Sequence, residues 1–289
     1  MILHRLSLVL LYALTLAAII YLAVEGGGYY GASEVDRPHH PLHEAWKPSG
    51  IIGHGIGIIG SLLMLILLLY SVRKRFRFMQ KRGNIRYWLN YHIWMGITGP
   101  ILVLFHTTFK FGGLVAVSFW SMAAVALSGI FGRYLYMQIP RSLSGNELSA
   151  AELEQQEHQF SNKLWEELKG KEEWIERLTD VYGGRQVSRS SGVESIIFLL
   201  FRDLTMPLRF ARVKHMLSES LGVTAAEVRQ IAGVARKRAQ LERRISFLKT
   251  AHTLLHHWHI FHRPFAVVML IIMLVHVVVT IVFGYKWIF

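Results

Sequence analysis

The stretch that decides the fold is YWLNYHIWMGITGPILVLFHTTF, running from Tyr87 to Phe109. Its 23 residues contain no Asp, Glu, Lys or Arg, a length sufficient for a helix to cross a bilayer. Two histidines, His92 and His106, sit in it fourteen residues apart. At helical geometry their side chains are about 40° apart around the axis and about 21 Å apart along it, so they share a face and lie near opposite leaflets. Gly96, Gly99 and Val103 occupy the face between them. Two glycines there leave a flat surface, open to a planar ring or to the close approach of another helix. Ionisable side chains within a membrane helix are costly and usually functional, so the two imidazoles call for an account.

Outward from this stretch lie four more uncharged runs of at least 19 residues: Leu6–Val24, Gly50–Val72, Phe111–Gly132 and Pro264–Tyr285. The chain has 289 residues, 52% of them hydrophobic, and a mean hydropathy of +0.33. Apolar residues gathered into such runs exclude an ordinary soluble enzyme, and unpaired backbone in lipid demands helices rather than an open sheet. The first run, with Arg5 before it and Gly31, Ala32 and Ser33 after it, has some marks of a secretory signal. Its apolar core exceeds the usual 7–15 residues, so a retained helix is expected. The expected architecture is all-α, a polytopic bundle of five transmembrane helices (about 6–24, 50–72, 87–109, 111–137 and 264–285). A membrane part over 1–138, a helical cytoplasmic insertion over 139–251 and a last helix with the C-terminus over 252–289 complete the plan.

The formal charge of +13 invites a nucleic-acid reading until its distribution is followed. Between the second and third runs stand Arg73, Lys74, Arg75, Arg77, Lys81, Arg82 and Arg86 without one acid. Such a loop belongs in the cytoplasm. Alternation then puts the N-terminus and the 133–263 segment inside, and the first loop, Lys110 and the C-terminus outside. The whole net charge falls on the cytoplasmic side, and no nucleic-acid partner is needed to explain it. The expected location is the inner (plasma) membrane, with lipid as the first partner.

Within the insertion, Ser149 with Glu152 and Thr224 with Glu227 have the spacing of capping boxes, which satisfy free N–H groups at helix starts. Gly183, Gly184 and the serines at 188, 190 and 191 read as a loop. The apolar run Ile196–Phe201, with Arg202, Arg209, Arg212 and Lys214 nearby, suits an amphipathic helix on an anionic leaflet, or packing within the insertion. A final helix from about Thr224 is expected to run on into the last span. No G-x-G-x-x-G, Walker loop or other nucleotide signature occurs in the insertion, so flavin or NAD(P)H, if used, comes from a partner. The chain has no cysteine, which removes disulfides, thiolate-held iron–sulfur clusters and covalently attached c-type haem.

The last helix repeats the spacing of the third: His262 and His276 are fourteen apart, with Ala266, Met269 and Met273 between them on the same face. With both helices running from cytoplasm to outside, His92 stands level with His262 and His106 with His276. Two such helices can clamp two haems, each held by one imidazole from each helix, an arrangement suited to electron transfer rather than to oxygen binding. His252, His256, His257 and His259 crowd the inner end. His259, though, lies about 100° from His276 around the helix, against about 40° for His262.

These paired histidines on the third and fifth spans resemble the membrane domain of ferric-reductase-like transmembrane proteins. The clamp is also similar to that of respiratory dihaem cytochromes b. The resemblance covers roughly residues 50–138 and 256–284. It implies two stacked b-type haems, one per leaflet, passing electrons across the bilayer. In that picture the chain is an electron-transfer subunit of a larger oxidoreductase. Its partners would be a periplasmic cytochrome c, a cytoplasmic flavin or iron–sulfur protein, or both.

Secondary candidates surround the clamp. Arg133 and Arg263, at the cytoplasmic end, suit the propionates of an inner haem, and Lys110 those of an outer one, with Trp46 and Lys47 more remote. Positive-inside topology alone also accounts for the arginines. His54 can line a quinone site, bond an outer propionate, or stand as a plain interfacial histidine. His39, His40 and His43 can hold a metal, touch a periplasmic cytochrome or be merely solvated. Two rival readings remain: a chain that itself oxidises quinol or reduces quinone, and a non-redox transporter or scaffold whose histidines relay protons or bind a divalent metal.

Overall fold

In the computed structural model, residues 2–112, 116–139, 150–167, 193–220 and 224–283 are described. Ser149 of the first expected capping box, the Gly183–Gly184 loop and Lys286 lie outside them. Every regular element among the described residues is a helix. The helices are α1 (Ile2–Glu25), α2 (Gly27–Gly31), α3 (His43–Trp46), α4 (Ile51–Ile66), α5 (Leu69–Arg75), α6 (Arg77–Gln80), α7 (Ile85–His106), α8 (Ala116–Gln138), α9 (Ala150–Glu167), α10 (Val193–Ser220) and α11 (Ala225–Val282).

Four segments are long and apolar enough to cross a membrane: Ile2–Glu25, His43–Arg75, Ala116–Gln138 and Thr250–Val282. This is the pattern of a multi-pass membrane protein. Their outer faces carry rows of exposed aliphatic side chains, such as Leu3, Leu6, Leu10 and Leu14 on α1 and Val267, Ile271, Val275 and Val278 on α11. Helix α7, 22 residues long, is not among the four. Tyr87, Trp88, Asn90, Tyr91, His92 and Trp94 crowd its first half and lower its hydropathy.

Those polar side chains have internal partners. Ser7 donates its hydroxyl to His4 O (2.9 Å) and so presents its oxygen to the Tyr91 hydroxyl at 2.7 Å. Thr15 donates to Leu11 O (2.9 Å) and accepts from Trp94 Nε1–H at 3.0 Å. Asn90 Nδ2 lies 3.1 Å from His4 Nε2, and the His4 ring stacks on Tyr87 at 4.0 Å. Helix α1 is thus bonded into the bundle along one face of α7.

The opposite face of α7 packs antiparallel on α4. Gly60 and Gly99 meet there: a Cβ on Gly60 would lie 3.1 Å from Gly99 O, and one on Gly99 3.1 Å from Met64 Sδ. Gly99 therefore serves helix contact, and the open surface expected between the histidines is confined to Gly96, where a Cβ would meet nothing within 4 Å. Met64, Met122, Met269 and Met273 form a buried cluster joining α4, α8 and α11, with Val103 of α7 against it. Flexible thioethers suit such irregular gaps between helices.

The chain divides into two compact units, Met1–Phe131 with His259–Phe289, and Gly132–Trp258. In the second, Leu135, Ile139 and Ala251 form a core with Tyr134, Leu248, Leu254 and Leu255 around it. Gly132 has no Cβ because the Trp258 indole occupies that space. Arg238 pairs with Glu157 at 3.2 Å. The expected second capping box closes in both directions: Thr224 N and Oγ1 donate to the Glu227 carboxylate at 2.8 and 2.7 Å, and Glu227 N donates back to Thr224 Oγ1 at 3.4 Å. From that box α11 runs unbroken for 58 residues, with Pro264 inside it.

Candidate functional site

Helix α7 is capped by Asn84, whose side chain accepts from Arg86 N at 2.9 Å, and ends at His106. Its antiparallel neighbour α4 meets both of its histidines, one at each end. His92 Nδ1 lies 3.1 Å from Leu67 O, just past the C-terminus of α4, and its ring stands 5.0 Å from that of Tyr70. His106 Nδ1 lies 2.8 Å from Gly53 O in the first turn of α4. A carbonyl oxygen can only accept, so in both rings Nδ1 carries the hydrogen and Nε2 keeps its lone pair.

The same arrangement recurs on α11. Ser128 of α8 donates its hydroxyl to Val125 O at 2.9 Å, leaving its oxygen to accept from His262 Nδ1 at 2.8 Å. Three of the four paired histidines therefore present an unprotonated Nε2. His276 makes no such side-chain bond among the described residues. Metal-ligating imidazoles commonly donate their second N–H to a carbonyl or similar acceptor, which fixes the tautomer and raises the basicity of the ligating nitrogen.

His92 lies within electrostatic range of His262, and His106 within range of His276. His54 is within electrostatic range of both His106 and His276. Access to His106 depends on Gly57, where a Cβ would stand 2.5 Å from its Nδ1. A Cβ on Gly129 would meet His262 Cε1 at an ordinary 3.9 Å. The imidazole donor set and the space at Gly96 fit a planar group that takes histidine nitrogen.

No protein-family model, curated protein or solved structure matches the chain. The site therefore has to be read from its own chemistry.

Other expected residues are placed as follows. Arg263 is exposed beside His262, and His259 is within electrostatic range of that ring. Arg133 lies in the second unit, its guanidinium 5.9 Å from the Tyr136 ring centre. Lys110 is exposed just past the end of α7. His257 Nδ1 bonds Thr253 O at 2.8 Å. His40 Nδ1 accepts from Leu42 N at 3.2 Å, and His43 Nδ1 lies 3.4 Å from the Tyr29 hydroxyl. Among the described residues, no group of three or more His, Cys, Asp or Glu is placed to hold a bare metal ion.

The cap beyond His106 contains residues that sequence reasoning passed over. Arg37, 8% exposed, donates to Ala32 O (3.2 Å), Thr108 O (2.7 Å) and Tyr30 O (3.1 Å). Tyr30 packs on Trp46, Phe105 and Phe109. Burial in this aromatic nest pushes its phenol up to about 12, so it stays a neutral donor. The glycines at 53, 57 and 60 do carry a sequence signal, a small-residue stripe at helical spacing on the second span. The acceptors Leu67 and Ser128 carry none.

Proposed function

We propose that the chain is a membrane-embedded dihaem cytochrome b that passes electrons across the bilayer as a subunit of a larger redox complex. The observation that carries this reading is the pair of α7 imidazoles, His92 and His106, each bonded through Nδ1 to a backbone carbonyl of the α4 segment and each within electrostatic range of a histidine on α11. Held by His92 with His262 and by His106 with His276, an iron porphyrin would supply single-electron uptake and release. The chain's own residues orient and insulate: Leu67 O, Gly53 O and Ser128 Oγ fix ring tautomers, Gly57 and Gly96 leave room, and the methionine cluster keeps water from the space between the levels.

In this reading α7 is a fifth crossing helix, its polar side chains satisfied by α1. The N-terminus and the segment between α8 and the last span are cytoplasmic, in the inner (plasma) membrane. Exposed Phe201, Leu204 and Leu208 on one face of α10 would rest on the inner leaflet. Electron donor and acceptor are other redox proteins, a periplasmic cytochrome c or a cytoplasmic flavin or iron–sulfur subunit.

A pyridine haemochrome assay on purified protein should give two haem b per chain. His92→Ala or His262→Ala should remove one haem and His106→Ala or His276→Ala the other, read from reduced-minus-oxidised spectra. Colourless protein overturns the reading. Retention of both haems in His262→Ala with loss of one in His259→Ala would move the inner ligand to His259.

A further inference from the structure

Arg37 poses a problem of charge. Its side chain is buried, no carboxylate among the described residues pairs with it, and its three bonds go to neutral carbonyls. A guanidinium has five N–H groups, so two remain. Buried charges are ordinarily paired, because removing an ion from water is expensive. Two buried hydroxyls in the same cap also lack partners, Tyr30 Oη and Thr108 Oγ1. They belong to two of the residues whose carbonyls hold the guanidinium.

The backbone adds a third sign. Thr108 and Phe109 both have positive φ, 52° and 61°. A β-branched residue in the left-handed region is an outlier that persists only where surroundings enforce it, and such strain gathers at binding sites. The turn folds Thr108, 1% exposed, under the end of α7 two residues past His106. A buried cation, a buried orphan hydroxyl and local strain thus converge within two residues of His106 in the chain, and together they describe a receptor for an anion with two oxygens.

We propose that Arg37 and Thr108, with Tyr30 as a further donor, bind a carboxylate of the group clamped by His106 and His276. This rests on the dihaem reading, in which that carboxylate is an outer-haem propionate. It replaces exposed Lys110 as the main outer anchor. A guanidinium that neutralises this carboxylate favours the reduced haem, so losing it should favour the oxidised form.

The experiment is a potentiometric titration of purified holoprotein, with haem counted in the same samples. Arg37→Gln should shift the outer haem's redox equilibrium at least tenfold toward the oxidised form, 59 mV for one electron, and leave the inner haem unmoved. Arg37→Lys should restore most of the shift. Thr108→Val, which keeps the guanidinium's backbone bonds, should shift it in the same direction by less, and serves if Arg37→Gln does not assemble. In protein reconstituted with haem dimethyl ester, neither Arg37→Gln nor Thr108→Val should have a further effect. An unchanged outer potential in both variants overturns the proposal, as does an equal shift with the ester, which would mean a through-space charge. An Arg37-dependent response to added acetate would assign the pocket to a free carboxylate and also overturn it. Absence of haem from the parent protein would instead overturn the dihaem reading.

Discussion

Three of the four paired imidazoles rest on a residue outside the pairs. Gly57 is the sharpest case, because its missing Cβ is where His106 sits. Gly57→Ala should displace the ring or part α4 from α7, an overpacking cost of roughly 1–3 kcal/mol. Gly96→Ala, facing open space on the same helix as His106, should leave thermal stability of the unliganded protein no lower than the parent's. Thermal unfolding in detergent compares the two, and equal losses would refute the seat assigned to His106. The histidine pairs were legible in the sequence because a spacing of fourteen keeps two side chains on one helical face whatever surrounds them. Ser128, Leu67 and Arg37 were not. Their roles arise from which helices become neighbours, and spacing along one helix carries no information about that. Gly99 shows the converse: its place on the histidine face was readable, but Met64 and Gly60 claim the space above it.

At the level of elements, charge-free runs foretold four of the membrane-length helices closely, since length and apolarity are what a bilayer selects. Helix boundaries in the second unit were readable only where a cap marks them, and Thr224 with Glu227 is such a mark. Hydrogen bonds from Thr224 hold the Glu227 carboxyl below its ordinary range. A carboxyl depressed in the folded state stabilises above its unfolded pKa of about 4.3 and loses that contribution as pH falls through the folded value. The first turn of α11 should therefore fray in acid, with faster amide exchange at residues 225–228 as pH drops below about 4.3. Glu227→Gln should flatten that dependence. A pH profile identical in both proteins would show that the box contributes nothing to the helix start.

For the molecule as a whole, the number of crossings decides which sides the termini occupy. Four crossings put both on one side, while the five proposed here, with α7 included, put them on opposite sides. Reporter fusions at each end should find the N-terminus cytoplasmic and the C-terminus outside, and two cytoplasmic signals would remove α7 from the membrane. The seam between α1 and α7 also bears on how such a chain is built. Ser7 and Thr15 turn their hydroxyl hydrogens back onto their own helix and hold out bare oxygens, to which Tyr91 and Trp94 donate from more than 75 residues downstream. In the five-crossing reading α1 is made before α7, so those acceptors would already be in the lipid when α7 leaves the translocation machinery. The earlier helix would then be the receiving dock for the least apolar one, and the order of translation part of how a marginal helix enters the membrane.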